Sequence, residues 1–141
     1  MSKTYKAAIT EAMEEAMSSN PYSLIIGQGV TDFKGIFGTM VGFAEKYPKR
    51  IIETPLAEDS VAGICIGAAL NGAYPINTHI RADFGLLIFN QLINLAAKYK
   101  YMFGGLFEVP SMYRMVIGRS WGQGAQHSQS LQSLMAHIPG L

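Results

Sequence analysis

Cysteine is almost missing from this chain: Cys65 is the only one in 141 residues. A single thiol excludes an internal disulfide framework and a cysteine-based zinc site. Its place in the apolar run "VAGICIGAAL" suits a small buried hydrophobe in a reducing cytoplasm. Charge is also sparse: 11 Lys and Arg nearly balance 10 Asp and Glu, and the basic residues are scattered. Without a basic footprint to neutralise a row of phosphates, nucleic acid is not expected as a partner. No segment reaches the roughly 18 apolar residues that span a bilayer, so no membrane partner is expected either. Phosphate-cradling patterns are missing too: "GQGVTD" begins like G-x-G-x-x-G but has Asp32 in sixth place, and no Walker sequence occurs. His79, His127 and His137 sit in different segments and the acids are not clustered, so no metal set is expected. Ser128 follows His127, but no G-x-S-x-G elbow accompanies them.

What is present fits one compact domain: 49% of the residues are hydrophobic, enough to bury a proper core. The opening "MSKTYKAAITEAMEEAM" contains Glu11, Glu14 and Glu15 and has no continuous apolar stretch, so it is read as a surface helix and not a targeting peptide. Tyr5, Ile9, Ala12, Met13 and Ala16 recur at helical spacing and predict its buried stripe. The 8 methionines are read as adaptable core filler. Strand and helix patterns then alternate. "YSLIIG", "RIIE", "AYPINTHI" and "SMYRMVIG" read as strands. Helices are expected near "IFGTMVGFAEKY", in "DSVAGICIGAALNG", from about Phe84 to Tyr101, and in "SQSLQSLMAH". The long one carries Phe84, Leu87, Ile88, Leu92, Leu95 and Tyr99 on one stripe. This alternation, with strands apolar throughout, predicts an α/β fold: a mostly parallel sheet with helices on both faces.

Ligands of such sheets gather beyond the carboxyl ends of the strands. Three segments meet that description: "ETPLAE" after "RII", "RADF" after "NTHI", and the Gly-rich loop "GRSWGQGAQH" after "YRMVI". They bring Glu58, Phe84 and His127 toward one crevice. Each residue has a plainer alternative: a solvated helix-start carboxylate for Glu58, a core stripe position for Phe84, a loop-anchoring hydrogen bonder for His127. For Glu58 the spacing matters. A capping box puts its acid three places after a Ser or Thr cap; counted from Thr54 with Pro55 as the first helical residue, that place is Ala57, one short of Glu58.

"RIIETPLAEDSVAGICIGAALNGAYPI", "ADF....FNQLINLAAKYKYMFGG" and "AQHSQSLQSLMAHIPGL", with the opening "AITEAMEEAMSSNPYSLIIGQGV", resemble the pyrimidine-binding domain of the transketolase superfamily. "AAKYKYMFGG" and "QHSQS" place the resemblance in the beta-subunit branch of thiamine-diphosphate-dependent 2-oxo acid dehydrogenases, the pyruvate, branched-chain and acetoin type. It implies that Glu58, in "TPLAE", is the catalytic glutamate, which hydrogen-bonds a nitrogen of the cofactor's aminopyrimidine and favours the imino tautomer that activates the thiazolium ring. Phe84, in "RADF", matches the aromatic that stacks on the pyrimidine. His127, in "QHSQS", matches the histidine assigned to acyl transfer, where an imidazole suits proton movement near neutral pH.

The resemblance also implies an alpha-type partner subunit that holds the diphosphate and its magnesium ion, which accounts for the missing phosphate loop. A homo- or hetero-oligomer follows, and a lipoyl acyltransferase as a further partner. The expected enzyme is therefore active only within a complex. Two departures stand out. Gln28, in "IGQGV", replaces the acidic residue of the family's "GED" or "GEE" sequence, and an amide cannot relay a proton as a carboxylate does. The family also continues past "HIPGL" into another strand and a C-terminal domain, so residues 1–141 are expected to be a domain cut short at its end. Two alternatives follow: a transketolase-like ketol or acyl transferase component, and a non-catalytic member of an assembly. In "GICIGAALNG", Gly63 and Gly67 lie one helical turn apart, which admits close approach by a second helix, from this chain or from another.

Overall fold

The computed structural model describes residues 2–117 and 122–141. Four strands, β1 (Ser23–Gly27), β2 (Ile51–Glu53), β3 (Tyr74–His79) and β4 (Met112–Met115), form one sheet in the order β2-β1-β3-β4. All three pairings are parallel. The register sets the strand ends level: Gly27 lies opposite Glu53 on one side and Thr78 on the other, and Thr78 opposite Arg114. Residues that follow these positions therefore emerge along one edge.

The helices are α1 (Tyr5–Ser19), α2 (Gly35–Gly38), α3 (Phe43–Lys46), α4 (Glu58–Leu70), α5 (Ala97–Met102) and α6 (Gln132–Ala136). On one face of the sheet, Met13 and Met17 of α1 pack with Ile36, Met40 and Phe43 against Ile25, Ile51 and Ile76. On the other face α4 packs Val61 and Cys65 against Ile26, while Ala62 meets Ile88 and Leu92. Side chains alternate between faces along a strand, so neighbours Ile25 and Ile26 serve different cores. The parallel sheet covered on both faces is thus as expected. Among the described residues no helix is long and apolar enough to cross a membrane.

Local structure departs from the sequence reading in four places. In α1, Thr4 caps the helix by accepting from the Ala7 N–H, but Tyr5 is 85% exposed and Ala12 is also exposed; Met17 takes the buried position instead. Ile9, Met13 and Ala16 of the predicted stripe do pack on the core. The single helix expected over "IFGTMVGFAEKY" is two short turns, because Ile36 and Phe37 have φ of 44° and 58° between Gly35 and Gly38, a left-handed run no α-helix accommodates. The long helix from Phe84 to Tyr101 is three windings: a 3-10 segment (Ala82–Ile88), a π segment (Asn90–Ala96) and α5. These change the angle per residue, so the 3.6-residue stripe fails: Ile88 and Leu92 are buried while Leu87 is 56% exposed. The final helix is only Gln132–Ala136, preceded by a 3-10 turn at Ala125–His127. Of the Gly-rich loop, residues 118–121 lie outside the described residues.

The α4 glycines differ from each other. A methyl group on Gly63 would meet the Gln91 side chain of the π segment at 3.5 Å, whereas nothing lies within 4 Å of the same position on Gly67. Close approach at Gly63 is thus made within the chain.

Candidate functional site

The edge of the sheet where the strands end is built on close backbone contact. Gly27 ends β1 so near β3 that a Cβ on it would lie 2.1 Å from the Thr78 carbonyl oxygen, inside any contact distance. Only glycine fits there. The next residue, Gln28, lines a cleft of about 10 Å3 together with Thr54, Glu58, Asn77, Thr78 and His79, room for about one water molecule. Sequence positions far apart are therefore gathered at the carboxyl edge, and Gln28 and Glu58 face the same cleft.

Glu58 opens α4. The helix starts three residues later than the count from Pro55 assumed, with Ala57 at the cap position and no side-chain capping bond. Glu58 and Asp59 in the first turn complement the positive end of the helix. Asp59 accepts from Gln91 Nε2 at 3.1 Å, but the Glu58 carboxyl group accepts no hydrogen bond from the described residues, and Glu58 remains half-buried over the cleft. Beside it, the Thr78 hydroxyl is buried without a partner among the described residues. The cleft so keeps a carboxyl group and a hydroxyl group with hydrogen-bonding capacity to spare.

Behind Glu58 is a residue that the sequence offered only as one of three scattered histidines. His79 is 4% exposed, and its Nε2 lies 2.8 Å from Asn77 Oδ1. Asn77 donates its Nδ2 to the Ile26 carbonyl at 3.1 Å, so its oxygen must face His79, and His79 Nε2 must donate. Burial holds the His79 pKa below its ordinary value, with the Glu58 charge opposing this. The imidazole is therefore neutral near neutral pH.

Glu53, at the end of β2, was also missed. Its carboxylate accepts from the N–H groups of Gly29 and Thr31, at 2.6 and 3.0 Å, and from the Thr31 hydroxyl at 2.9 Å. These three bonds tie down the loop that presents Gln28. Only the pairing Gly27↔Glu53 reveals them, and pairing partners are not written in a single sequence.

Phe84 and His127 meet across the chain. Their ring centres are 5.5 Å apart and the planes nearly perpendicular, at 80°. Phe84 is half-buried and is not among the core-cluster residues Ala62, Ile88 and Leu92 or the side chains packed on them. Arg81 Nη1 donates to the His127 carbonyl at 3.0 Å, and the Gln129 N–H donates to Asp83 Oδ1 at 3.0 Å. The "RADF" turn so carries the "QHSQ" segment. Two separate pairs result, Glu58 with Gln28 lining one cleft and Phe84 with His127 in ring contact, and neither ring is among the residues that line the cleft. Cys65 is outside both; burial pushes its thiol up to about 12, which leaves it an inert core group.

This edge, with its glycine-tight β1–β3 contact and its carboxylate at the start of α4, belongs to a known domain type. The family model for the transketolase pyrimidine-binding domain matches residues 1–141, and the chain belongs to that family. It is 37% identical over 146 residues to the beta subunit of acetoin:2,6-dichlorophenolindophenol oxidoreductase from Cupriavidus necator, covering 96% of this chain and 43% of the relative. It is 39% identical over 139 residues to the mitochondrial pyruvate dehydrogenase E1 component subunit beta of Homo sapiens, covering 98% and 39%. With the pyruvate dehydrogenase E1 component subunit beta of Rickettsia conorii it shares 36% identity over 142 residues, covering 100% and 44%. The chain spans about two fifths of the length of these curated relatives.

Proposed function

We propose that this chain is the pyrimidine-binding half of a thiamine-diphosphate-dependent 2-oxo acid dehydrogenase, active only with an alpha-type partner subunit that holds the diphosphate and magnesium ion. The observation that carries the reading is the state of Glu58: a half-buried carboxylate at the carboxyl edge of a parallel sheet, making no capping bond. A carboxylate so placed is available to a ligand. The names of the relatives, which join pyruvate and acetoin enzymes, support an acyl-forming reaction and leave the substrate within the 2-oxo acid and acyloin class.

The residues present fit an aminopyrimidine. Such a ring needs a carboxyl group for one nitrogen, further hydrogen-bonding groups at its edge and an apolar surface for its face. Glu58, the spare Thr78 hydroxyl and the Gln28 amide would supply the first two, and the resemblance assigns the third to Phe84, whose ring meets His127. The cleft itself admits about one water. Thiamine diphosphate, when bound, supplies the electron sink for decarboxylation. Glu58 would hold the ring through its carboxyl group and exchange a proton there. Neutral His79, behind it, adds no positive charge to the cleft. His127 moves a proton at its imidazole during acyl transfer to a lipoyl carrier on an acyltransferase partner.

Glu58→Gln tests the reading in the complex assembled with the alpha-type partner. The amide keeps the shape but cannot exchange a proton, so the variant should fold and assemble, losing no more than about 1 kcal/mol through the helix dipole. Decarboxylation should fall by at least about a hundredfold. Undiminished turnover would make Glu58 a helix-start charge and nothing more. A second reading, a non-catalytic member of the assembly, has Gln28 in its favour, because an amide stands where the resemblance calls for an acid. A wild-type complex without turnover would select it.

A further inference from the structure

The "RADF" turn holds a second acid that the reading above leaves without work. Asp83 is 6% exposed, in the 3-10 segment beside Phe84. A buried carboxylate is costly unless it is hydrogen-bonded. Here Oδ1 takes the Gln129 N–H at 3.0 Å, while Oδ2 is buried with no partner among the described residues. Burial alone would raise its pKa, but the Gln129 donors and the nearby His127 outweigh this and hold it below the ordinary carboxylate value. Asp83 is therefore charged at neutral pH, and its Oδ1 is tied to the loop through the Gln129 N–H.

The loop has little else to fix it. His127 closes a three-residue 3-10 turn, Ala125–His127, with no buried residue in it, and the exposed Ser128 follows. Apolar burial does not hold this segment in place. Its described attachments are the Arg81 bond to the His127 carbonyl, the Asp83 bond to the Gln129 N–H, and the ring contact with Phe84. They come from residues 81, 83 and 84 and grip residues 127 and 129. The two hydrogen bonds act on the main chain on either side of Ser128, so the imidazole itself stays unencumbered while its backbone is fixed.

We infer that Asp83 is a positioning residue for His127: by accepting from the Gln129 N–H it pins the 127–129 loop so that the imidazole stands against Phe84 in the crevice. This rests on the reading of His127 as the acyl-transfer residue. The charge is secondary to the acceptor, because the bond is to a main-chain N–H that any suitably placed oxygen satisfies.

The experiment compares Asp83→Ala, Asp83→Asn and His127→Gln in the assembled complex, by hydrogen exchange of peptides spanning residues 125–131 and by acyl-transfer kinetics. With the acceptor gone, Asp83→Ala should exchange roughly three- to tenfold faster in those peptides alone. It should lose about tenfold or more in kcat with KM nearly unchanged, as a misplaced group does. Asp83→Asn, which keeps an oxygen for the Gln129 N–H, should restore most of both. Unchanged loop exchange in Asp83→Ala, acceleration spread over the whole chain, or an Asn variant as impaired as the Ala variant would each overturn the inference. If His127→Gln transfers acyl groups at the wild-type rate, the role given to His127 fails, and the exchange data alone still decide whether Asp83 pins the loop.

Discussion

The two pairs of candidate side chains are held by different means. Glu58 stands on the first turn of a 13-residue helix, above strands whose backbones touch at Gly27 and Thr78. Val61, Ala62 and Cys65 behind it are core residues, so its position follows from the packing of a whole helix on a sheet. His127 has no such support. It sits in a three-residue turn carried by hydrogen bonds from Arg81 and to Asp83. Packing is collective, whereas a hydrogen bond contributes only about 1 kcal/mol net. The Glu58 side should therefore fail only when the fold fails, and the His127 side should loosen after single substitutions that leave the fold intact.

The sharpest way to break the comparison is to damage the Glu58 side at its foundation. Gly27→Ala places a methyl group against the Thr78 carbonyl, and neither strand can yield without parting the sheet at its centre. The expected cost is about 3 kcal/mol, from forced overpacking. Urea unfolding measures it directly, and Glu58 and Gln28 should lose their common cleft with it. A wild-type midpoint would mean that the β1 and β3 ends are not in contact.

On the other side, Phe84→Ala removes the ring against which His127 rests. A half-buried Phe outside every core cluster should cost about 1 kcal/mol of stability, well below the roughly 3 to 5 kcal/mol of a core position. Affinity of the assembled complex for thiamine diphosphate should fall by about three- to tenfold, the size of an aromatic contact. Thermal denaturation and a calorimetric titration separate the two effects. A large loss of melting temperature with affinity intact would return Phe84 to the core.

These contrasts also show what a single sequence displays. The parallel sheet was legible because strand and helix patterns alternate. The same alternation led to the expectation that Glu58, Phe84 and His127 gather beyond the strand ends; the structure pairs Glu58 with Gln28 and Phe84 with His127. Winding was not legible: Ile36 and Phe37 give no local sign of a left-handed conformation, and the stripe from Phe84 to Tyr99 fits an α-helix as drawn. It is fixed instead by tertiary contacts, such as Ile88 and Leu92 against Ala62. Glu53, His79 and Asp83 escaped for a related reason. Each gains its role from a partner distant in sequence: Gly29 and Thr31, Glu58, and Gln129. Charge and residue type alone do not single them out.

The smallest expected effect tests the packed side through pH. His79 is held neutral by burial, its Nε2–H given to Asn77 Oδ1, so its folded pKa lies below that of the unfolded chain, about 6.5. Below that pH the unfolded chain takes up a proton that the folded chain refuses, and stability must fall as pH drops from about 6.5 toward the folded pKa. The loss is bounded by about 1.4 kcal/mol for each pKa unit between the two states. Carboxylates held low, such as Asp83 and Glu14, shed stability only at more acid pH, so urea unfolding at about pH 7.5 and pH 5 isolates the histidine. His79→Gln can still donate to Asn77 but takes up no proton, and should flatten that part of the profile. If wild type and variant lose stability equally between the two pH values, His79 does not set the acid sensitivity. The support beneath Glu58 would then be no more rigid than the loop that carries His127.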